Sequence, residues 1–386
     1  MGNGKRPKIR FPEFTDDWEQ RKLGDIYTER NEKGDDSLQI LSVSIHTGVS
    51  DTELDEDALG KTVRRSKDKS TYKHVYFGDL VFNMMRAWQG AIGVAKSEGM
   101  ISPAYISAIP SDAVYPLFMD YALRRKATIE QIDSLSYGVT DFRKRLYWNS
   151  FVKVKCNIPS MEEQHMIWQF FKLLDNLIIL YQQKVGTTKK LKKSMLQKMF
   201  PKDDNDTPEI RFPEFVGSWE RRKLVDIVRL YQPATISAAQ CNENGKYPVF
   251  GANGFIGRYD EKNHDTDQVC VSCRGANCGT VNYVTAPVWI TGNSMVCNTD
   301  SEGVVDKKCF YYAMCGINFL PVITGGAQPQ ITRDKLQEVI VSLPDIEEQK
   351  QIGEFFSNLD NLITLHQRNC DRYKSLKTAL LQQMFV

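Results

Sequence analysis

Two short stretches of this chain combine a cation, an amide and a glycine, as reading a base edge would require. They are Asn83-Met84-Met85-Arg86-Ala87-Trp88-Gln89-Gly90 and Cys273-Arg274-Gly275-Ala276-Asn277-Cys278-Gly279. Arginine presents a planar fork to guanine O6/N7, and asparagine or glutamine does the same for adenine. Both stretches read as turns between β-type runs. A second loop follows each one, Tyr137-Gly138-Val139-Thr140-Asp141-Phe142-Arg143-Lys144-Arg145 and Thr324-Gly325-Gly326-Ala327-Gln328-Pro329-Gln330. Glycines there let backbone approach a phosphate, while basic and amide side chains reach phosphates or base edges. The candidate nucleic-acid contacts are Arg86, Trp88, Gln89, Tyr137, Arg143 and Lys144, then Asn253, Arg258, Arg274, Asn277, Gln328 and Gln330. One such loop alone reads equally well as a solvated turn; its recurrence at matching places carries the signal. Basic clusters at Lys61, Arg64, Arg65, Lys67 and Lys69, at Arg124-Arg125-Lys126 and at Arg143-Lys144-Arg145 would add phosphate contacts, although each taken singly is an ordinary solvated surface.

Other chemistry fits less well. Cys270 and Cys273, with Cys278, suggest zinc, but i and i+3 in a strand pattern face opposite sides, and His264 is the sole nearby histidine. Pro344-Asp345…Glu348-Gln349-Lys350 resembles a nuclease string, yet all of it falls at one helix start, where the acids serve as capping groups. Gly251-Ala252-Asn253-Gly254-Phe255-Ile256-Gly257 lacks the order and following helix of a dinucleotide fingerprint. There is no Walker A loop, no adenine-methyltransferase (D/N)PP(Y/F) string, and no His/Asp/Ser set common to both halves. Catalysis within this chain is not expected.

The elements that must position these loops are repeated. Residues 158–200 lie on 343–385 without a gap, with 21 of 43 positions identical. Pro159 and Pro344 precede helix starts, Ser160 and Asp345 are candidate N-caps, and Glu163 and Glu348 have capping-box spacing. Ile167, Phe171, Leu174 and Ile178, matched by Ile352, Phe356, Leu359 and Ile363, alternate in steps of four and three, the seam of paired helices. Such a helix would run roughly 58 Å, and its stripe needs a partner; the two copies should pair with each other. Gly186 weakens the case for one unbroken first helix. A second duplication sets Ile9-Arg10-Phe11-Pro12-Glu13-Phe14…Trp18-Glu19 on Ile210-Arg211-Phe212-Pro213-Glu214-Phe215…Trp219-Glu220. The first motif has no helix before it and the last helix no motif after it, like a ring opened at one point.

The layout is therefore 1–26 motif, 27–157 insert, 158–201 helix, 202–227 linker and second motif, 228–342 second insert, and 343–386 helix. Strands are expected at 38–45, 74–84, 91–95, 105–109 and 151–156. In the second insert they are expected at 247–250, 269–272, 281–284, 288–290, 295–297 and 339–341, with one helix per insert at 115–125 and 307–314. The 386 residues are 41% hydrophobic with a net charge of +2, enough for sizeable cores and too little charge for a polyelectrolyte. No signal-peptide pattern or apolar run of membrane-span length occurs. Nine cysteines, an odd number, read as reduced thiols. A cytoplasmic protein is the expectation.

These residues resemble the specificity subunits of type I restriction–modification systems. The carriers are the doubled motif starts (Arg10 to Leu23, Arg211 to Leu224), the Pro-x-x-Glu-Glu-Gln helix starts, and the insert strings Gly78-Asp79-Leu80-Val81-Phe82, Ile101-Ser102-Pro103-Ala104-Tyr105 and Tyr247-Pro248-Val249-Phe250-Gly251-Ala252-Asn253-Gly254. The resemblance implies an α/β (α+β) chain with a pseudo-twofold internal repeat. Its two target-recognition domains would be joined by two long helices forming an antiparallel coiled coil. It implies a non-catalytic reader of a split, asymmetric site in double-stranded DNA. Partners would be two modification (methyltransferase) subunits and restriction–translocase subunits. S-adenosylmethionine, ATP and Mg²⁺ would belong to those partners, with no cofactor in this chain. The other classes are an interaction scaffold carrying two protein- or RNA-binding modules, and a zinc enzyme built on the cysteine-rich insert.

Overall fold

The computed structural model describes residues 6–50, 69–138, 140, 143–202, 205–300, 303–326 and 328–386. The basic residues Lys61, Arg64, Arg65 and Lys67, the loop residues Val139, Asp141, Phe142 and Ala327, and linker residues Asp203 and Asp204 lie outside the described residues. The chain divides into two units, Met1–Leu180 with Cys370–Val386, and Tyr181–Asn369.

In the first unit, strand Glu19–Lys22 pairs antiparallel with Lys155–Ile158, which leads directly into a long helix, Met161–Lys198. The insert between them is built on a four-stranded antiparallel sheet in the order Tyr27–Arg30, Tyr105–Pro110, Leu80–Asn83, Ile92–Val94. Leu80, Val81 and Phe82 are fully buried, so this strand reads as a continuous apolar run rather than an alternating one. The core gathers Trp18, Leu23, Ile26, Phe82, Phe118 and Phe151 with Ile167, Phe171 and Leu174 of the helix. The run expected at 38–45 is a strand only at Val43–Ser44, which pairs antiparallel with Gly48–Val49. The strand expected at 151–156 starts later: Trp148–Phe151 is a helical turn, and Phe151 stacks on Phe82 at 4.8 Å instead of entering a ladder. The expected helix at 115–125 is Pro116–Leu123, and a second one, Lys126–Leu135, follows it.

The second unit repeats this plan. Glu220–Lys223 pairs with Ile340–Leu343 ahead of the other long helix, Ile346–Gln383. Its insert has the same four-stranded order, Arg229–Tyr231, Ser294–Asn298, Gln268–Ser272, Val281–Val284. A three-stranded sheet is added from Gly254–Tyr259, Tyr247–Gly251 and Trp289–Ile290. The hairpin Tyr247–Tyr259 turns at Ala252-Asn253, and Gly254 takes the positive φ of 96° that a tight turn demands.

Each unit holds one antiparallel pair of helical segments. In the first, Phe171 meets Phe385 at 5.9 Å and Asp175 binds Lys377. In the second, Phe200 meets Phe356 at 5.9 Å, Lys192 binds Asp360, and Tyr181 lies 5.9 Å from His366. Ile167, Phe171 and Leu174 are buried in one unit and Ile352, Phe356 and Leu359 in the other, whereas Ile178 and Ile363 are only half-buried. Gly186 does not break the first helix; nothing lies within 4 Å of the Cβ it lacks, so its cost is confined to backbone entropy.

Candidate nucleic-acid interface

The doubled motifs lock each insert onto its helix. Glu163 and Glu348 have the spacing of a capping box, but their side chains turn elsewhere. Ser160 Oγ and Asp345 Oδ1 do accept the N–H of Glu163 and Glu348. The two carboxylates instead take bidentate hydrogen bonds from Arg10 and Arg211, each arm at 2.7 Å. Both glutamates are almost fully buried, at 1% and 0% side-chain exposure, which requires a fork partner of opposite charge. The next residue grips the insert. Gln164 Oε1 accepts the Tyr115 N–H at 2.7 Å and Gln349 Oε1 accepts the Asp306 N–H at 2.9 Å, each at the N-cap of an insert helix. A third pair closes the frame. Tyr121 and Tyr312 donate to Asp175 and Asp360, and those carboxylates also hold Lys377 and Lys192. The motif ends dock alike, Ile9 N–H on the Gln383 carbonyl and Ile210 N–H on that of Lys198.

On this frame the two candidate turns stand in matching places. Asn83 N–H bonds the Ala91 carbonyl at 3.0 Å, and Ser272 N–H bonds that of Thr280 at 2.8 Å, so both turns span the same number of residues. Both close on a left-handed glycine, Gly90 at φ 104° and Gly279 at φ 90°. The later loops close by reciprocal backbone pairs, Tyr137 with Arg145 and Thr324 with Gln330. They join the turns through Leu146 N–H to the Met84 carbonyl and Ile331 N–H to the Cys273 carbonyl. Turn and loop, far apart in sequence, thus form one surface in each insert.

The candidates distribute unevenly over these surfaces. In the first insert Lys144 lies 5.8 Å over the Trp88 ring and 3.2 Å from Asp133 Oδ1, Arg86 Nε donates to Gln89 Oε1 at 3.2 Å, and Tyr137 is exposed beside Tyr147. Arg143 is exposed on the same loop. In the second insert the Arg274 backbone forms an isolated antiparallel β-bridge with Gln330, Asn277 donates to Asn253 Oδ1 at 2.8 Å, and Gln328 is exposed on the adjoining loop. Arg258 is placed differently. Its guanidinium holds the carbonyls of Gly245 and Lys246 at 2.6 and 2.7 Å, bracing the hairpin rather than facing out with Arg274. Two exposed apolar residues were not among the candidates, Met85 on the first turn and Phe255 on the hairpin next to Asn253. The count back from Gly90 and Gly279 is the signal that marks Met85.

Elsewhere the chemistry is spoken for. Cys270 packs with Val284, Val288, Ile290 and Val296, while Cys273 packs in the other cluster with Val269 and Val271, on opposite sides of their sheet. Burial pushes both thiols up, and that of Cys297 to about 12, which holds them protonated. Among the described residues no group of three His, Cys, Asp or Glu side chains could hold a metal. A groove of about 1030 Å³ in the first unit is lined by Phe77, Arg124, Trp168, Ile179 and Lys377 among others. Its carboxylates Asp120, Glu130 and Asp175 are each paired with a lysine, at 3.5 Å, 3.8 Å and 2.5 Å. No described helix is long and apolar enough to cross a membrane.

Residues 217–371 match the family model described as the type I restriction modification DNA specificity domain. The type I restriction enzyme MjaVIII specificity subunit of Methanocaldococcus jannaschii is 20% identical over 408 residues, covering 98% of this chain and 93% of that protein. The EcoprrI specificity subunit of Escherichia coli is 27% identical over 157 residues, covering 40% and 39% of the two chains. The crystal structure of the type I restriction-modification system S subunit from M. genitalium shares the fold, with a TM-score of 0.65, 14% identity and 99% coverage of both chains. Residues 217–371 thus carry the match to the DNA specificity domain, and the whole chain is similar in sequence and in fold to type I restriction–modification specificity subunits.

Proposed function

We propose that this chain reads a bipartite, asymmetric site in double-stranded DNA and directs partner subunits to methylate or cleave there. The carrying observation is the pair of insert surfaces. One sheet plan and one turn length recur, while the exposed residues differ, Met85, Gln89, Tyr137 and Arg143 on one and Arg274, Asn277, Gln328 and Gln330 on the other. Two unlike readers imply two unlike half-sites. Two readers on one chain also raise the effective concentration of the second once the first has bound. The two long helices, 38 residues each, supply the spacer that fixes the distance between half-sites. Two modification subunits carry S-adenosylmethionine and take the flipped adenine, and restriction–translocase subunits supply ATP- and Mg²⁺-dependent steps. The test is selection from a random duplex pool by the full chain with its methyltransferase partner. The reading expects enrichment of a split motif with a fixed gap, and binding that weakens steeply with salt. Enrichment of a continuous motif, or preference for RNA, would contradict it.

A further inference from the structure

The sequence pairs Arg86 with Arg274 as the two arginines of the two turns. The backbone pairs them otherwise. Asn83 occupies the place of Ser272, Met84 that of Cys273, Ala91 that of Thr280, and Gly90 that of Gly279. Counted within that frame, Arg274 corresponds to Met85, and Arg86 corresponds to Gly275. The side chains agree with the backbone. Arg274 is exposed, with no hydrogen-bond partner for its guanidinium among the described residues. Met85 is 47% exposed, unusual for a methionine, and its N–H is pinned at 3.0 Å by Asn83 Oδ1. Arg86 is half-buried and turned onto Gln89.

We propose that Met85, and not Arg86, is the base-reading residue of the first turn, and that it packs against the 5-methyl group of a thymine. Arg274 presents hydrogen-bond donors to a guanine at the matching place of the other half-site. An apolar side chain at a base-reading position selects the methyl that distinguishes thymine in the major groove. The assignment rests on the DNA reading proposed above and deepens it by one base in each half-site.

The experiment uses the full chain with its methyltransferase partner. Each thymine of the selected first half-site is replaced in turn by deoxyuridine, which removes only the methyl. One replacement is expected to weaken wild-type binding about fourfold, the worth of one buried methyl-sized group, and to leave Met85→Ala unaffected. Met85→Arg is expected to move the preference at that position from thymine to guanine. The second half-site stays unchanged throughout and reports that the variants are folded. If every thymine tolerates deoxyuridine, or if Arg86→Ala relaxes the position and Met85→Ala does not, the assignment is overturned. If wild type selects no split motif, the assignment and the reading beneath it fall together.

Discussion

In the first unit Tyr121, Asp175 and Lys377 form one closed set, and in the second Tyr312, Asp360 and Lys192 form the same set. At the tips of the inserts the likeness ends. The first turn and loop expose a thioether and a phenol, from Met85 and Tyr137, beside Gln89 and Arg143; the second expose a guanidinium and amides. The frame is held residue for residue where groups are buried and charged, because an unpaired buried charge is costly. The tips face solvent, where side chains change at little cost to the fold. The differences between the two halves are therefore concentrated where they leave folding alone.

The frame half of this comparison breaks first at the buried forks. Glu163→Ala and Glu348→Ala should each cost about 3 kcal/mol by taking the carboxylate from a largely buried guanidinium fork. Denaturant unfolding should show comparable losses for the two, and a large loss for only one would end the claim of equivalence. At the tips the effects should be unequal. Arg274→Ala is expected to relax one base of the second half-site by about tenfold, within the roughly 1–3 kcal/mol of a bidentate contact. The first half-site should keep its preference in the same selection experiment; loss at both would unseat the idea of separate readers. Tyr121→Phe and Tyr312→Phe remove one hydrogen bond to a carboxylate that keeps its lysine, so about 1.5 kcal/mol each is expected from unfolding curves.

A smaller asymmetry should appear in acid. Burial pushes the Asp300 carboxyl up, but Lys307 and the donors Thr266, Asn298 and Gln268 outweigh it and hold the group well below the usual carboxylate range. A lowered folded-state value stabilises the protein fully above the unfolded carboxylate value of about 3.9, and that contribution fades as pH falls below it. Ser111 stands at the matching place in the first insert, so this sensitivity belongs to the second. Asp300→Asn should lose less stability than wild type between about pH 5 and pH 2. Equal acid titrations would show that Asp300 contributes nothing.

Much of the fold was legible because it was written twice. Residues 158–200 against 343–385 expose both long helices and both N-caps, since each stretch must bury the same stripe and satisfy the same helix start. What could not be read was the partner of Glu163. Its spacing from Ser160 points to a local capping box, while Arg10, 153 residues away, takes the carboxylate. Local spacing carries no signal for such a contact. The two candidate surfaces were legible as loops, but not their alignment. Matching arginine to arginine follows residue type, whereas the hydrogen-bond ladder is counted from Ala91 and Thr280, one place away. The helix Lys126–Leu135 was missed because its basic start reads as a solvated loop, although Thr128 and Ile132 are buried. Arg258, chosen for its charge, braces carbonyls within its own hairpin.

The central proposal is that the length of the long helices sets the gap between two unlike half-sites. Inserting seven residues at Gly186 and seven at Asp371 keeps the seam in phase and lengthens both helices by about 10 Å. Selected sites should then keep both half-site sequences while the gap between them grows by about three base pairs, at 3.4 Å per pair. An unchanged gap with both half-sites still recognised would contradict the account.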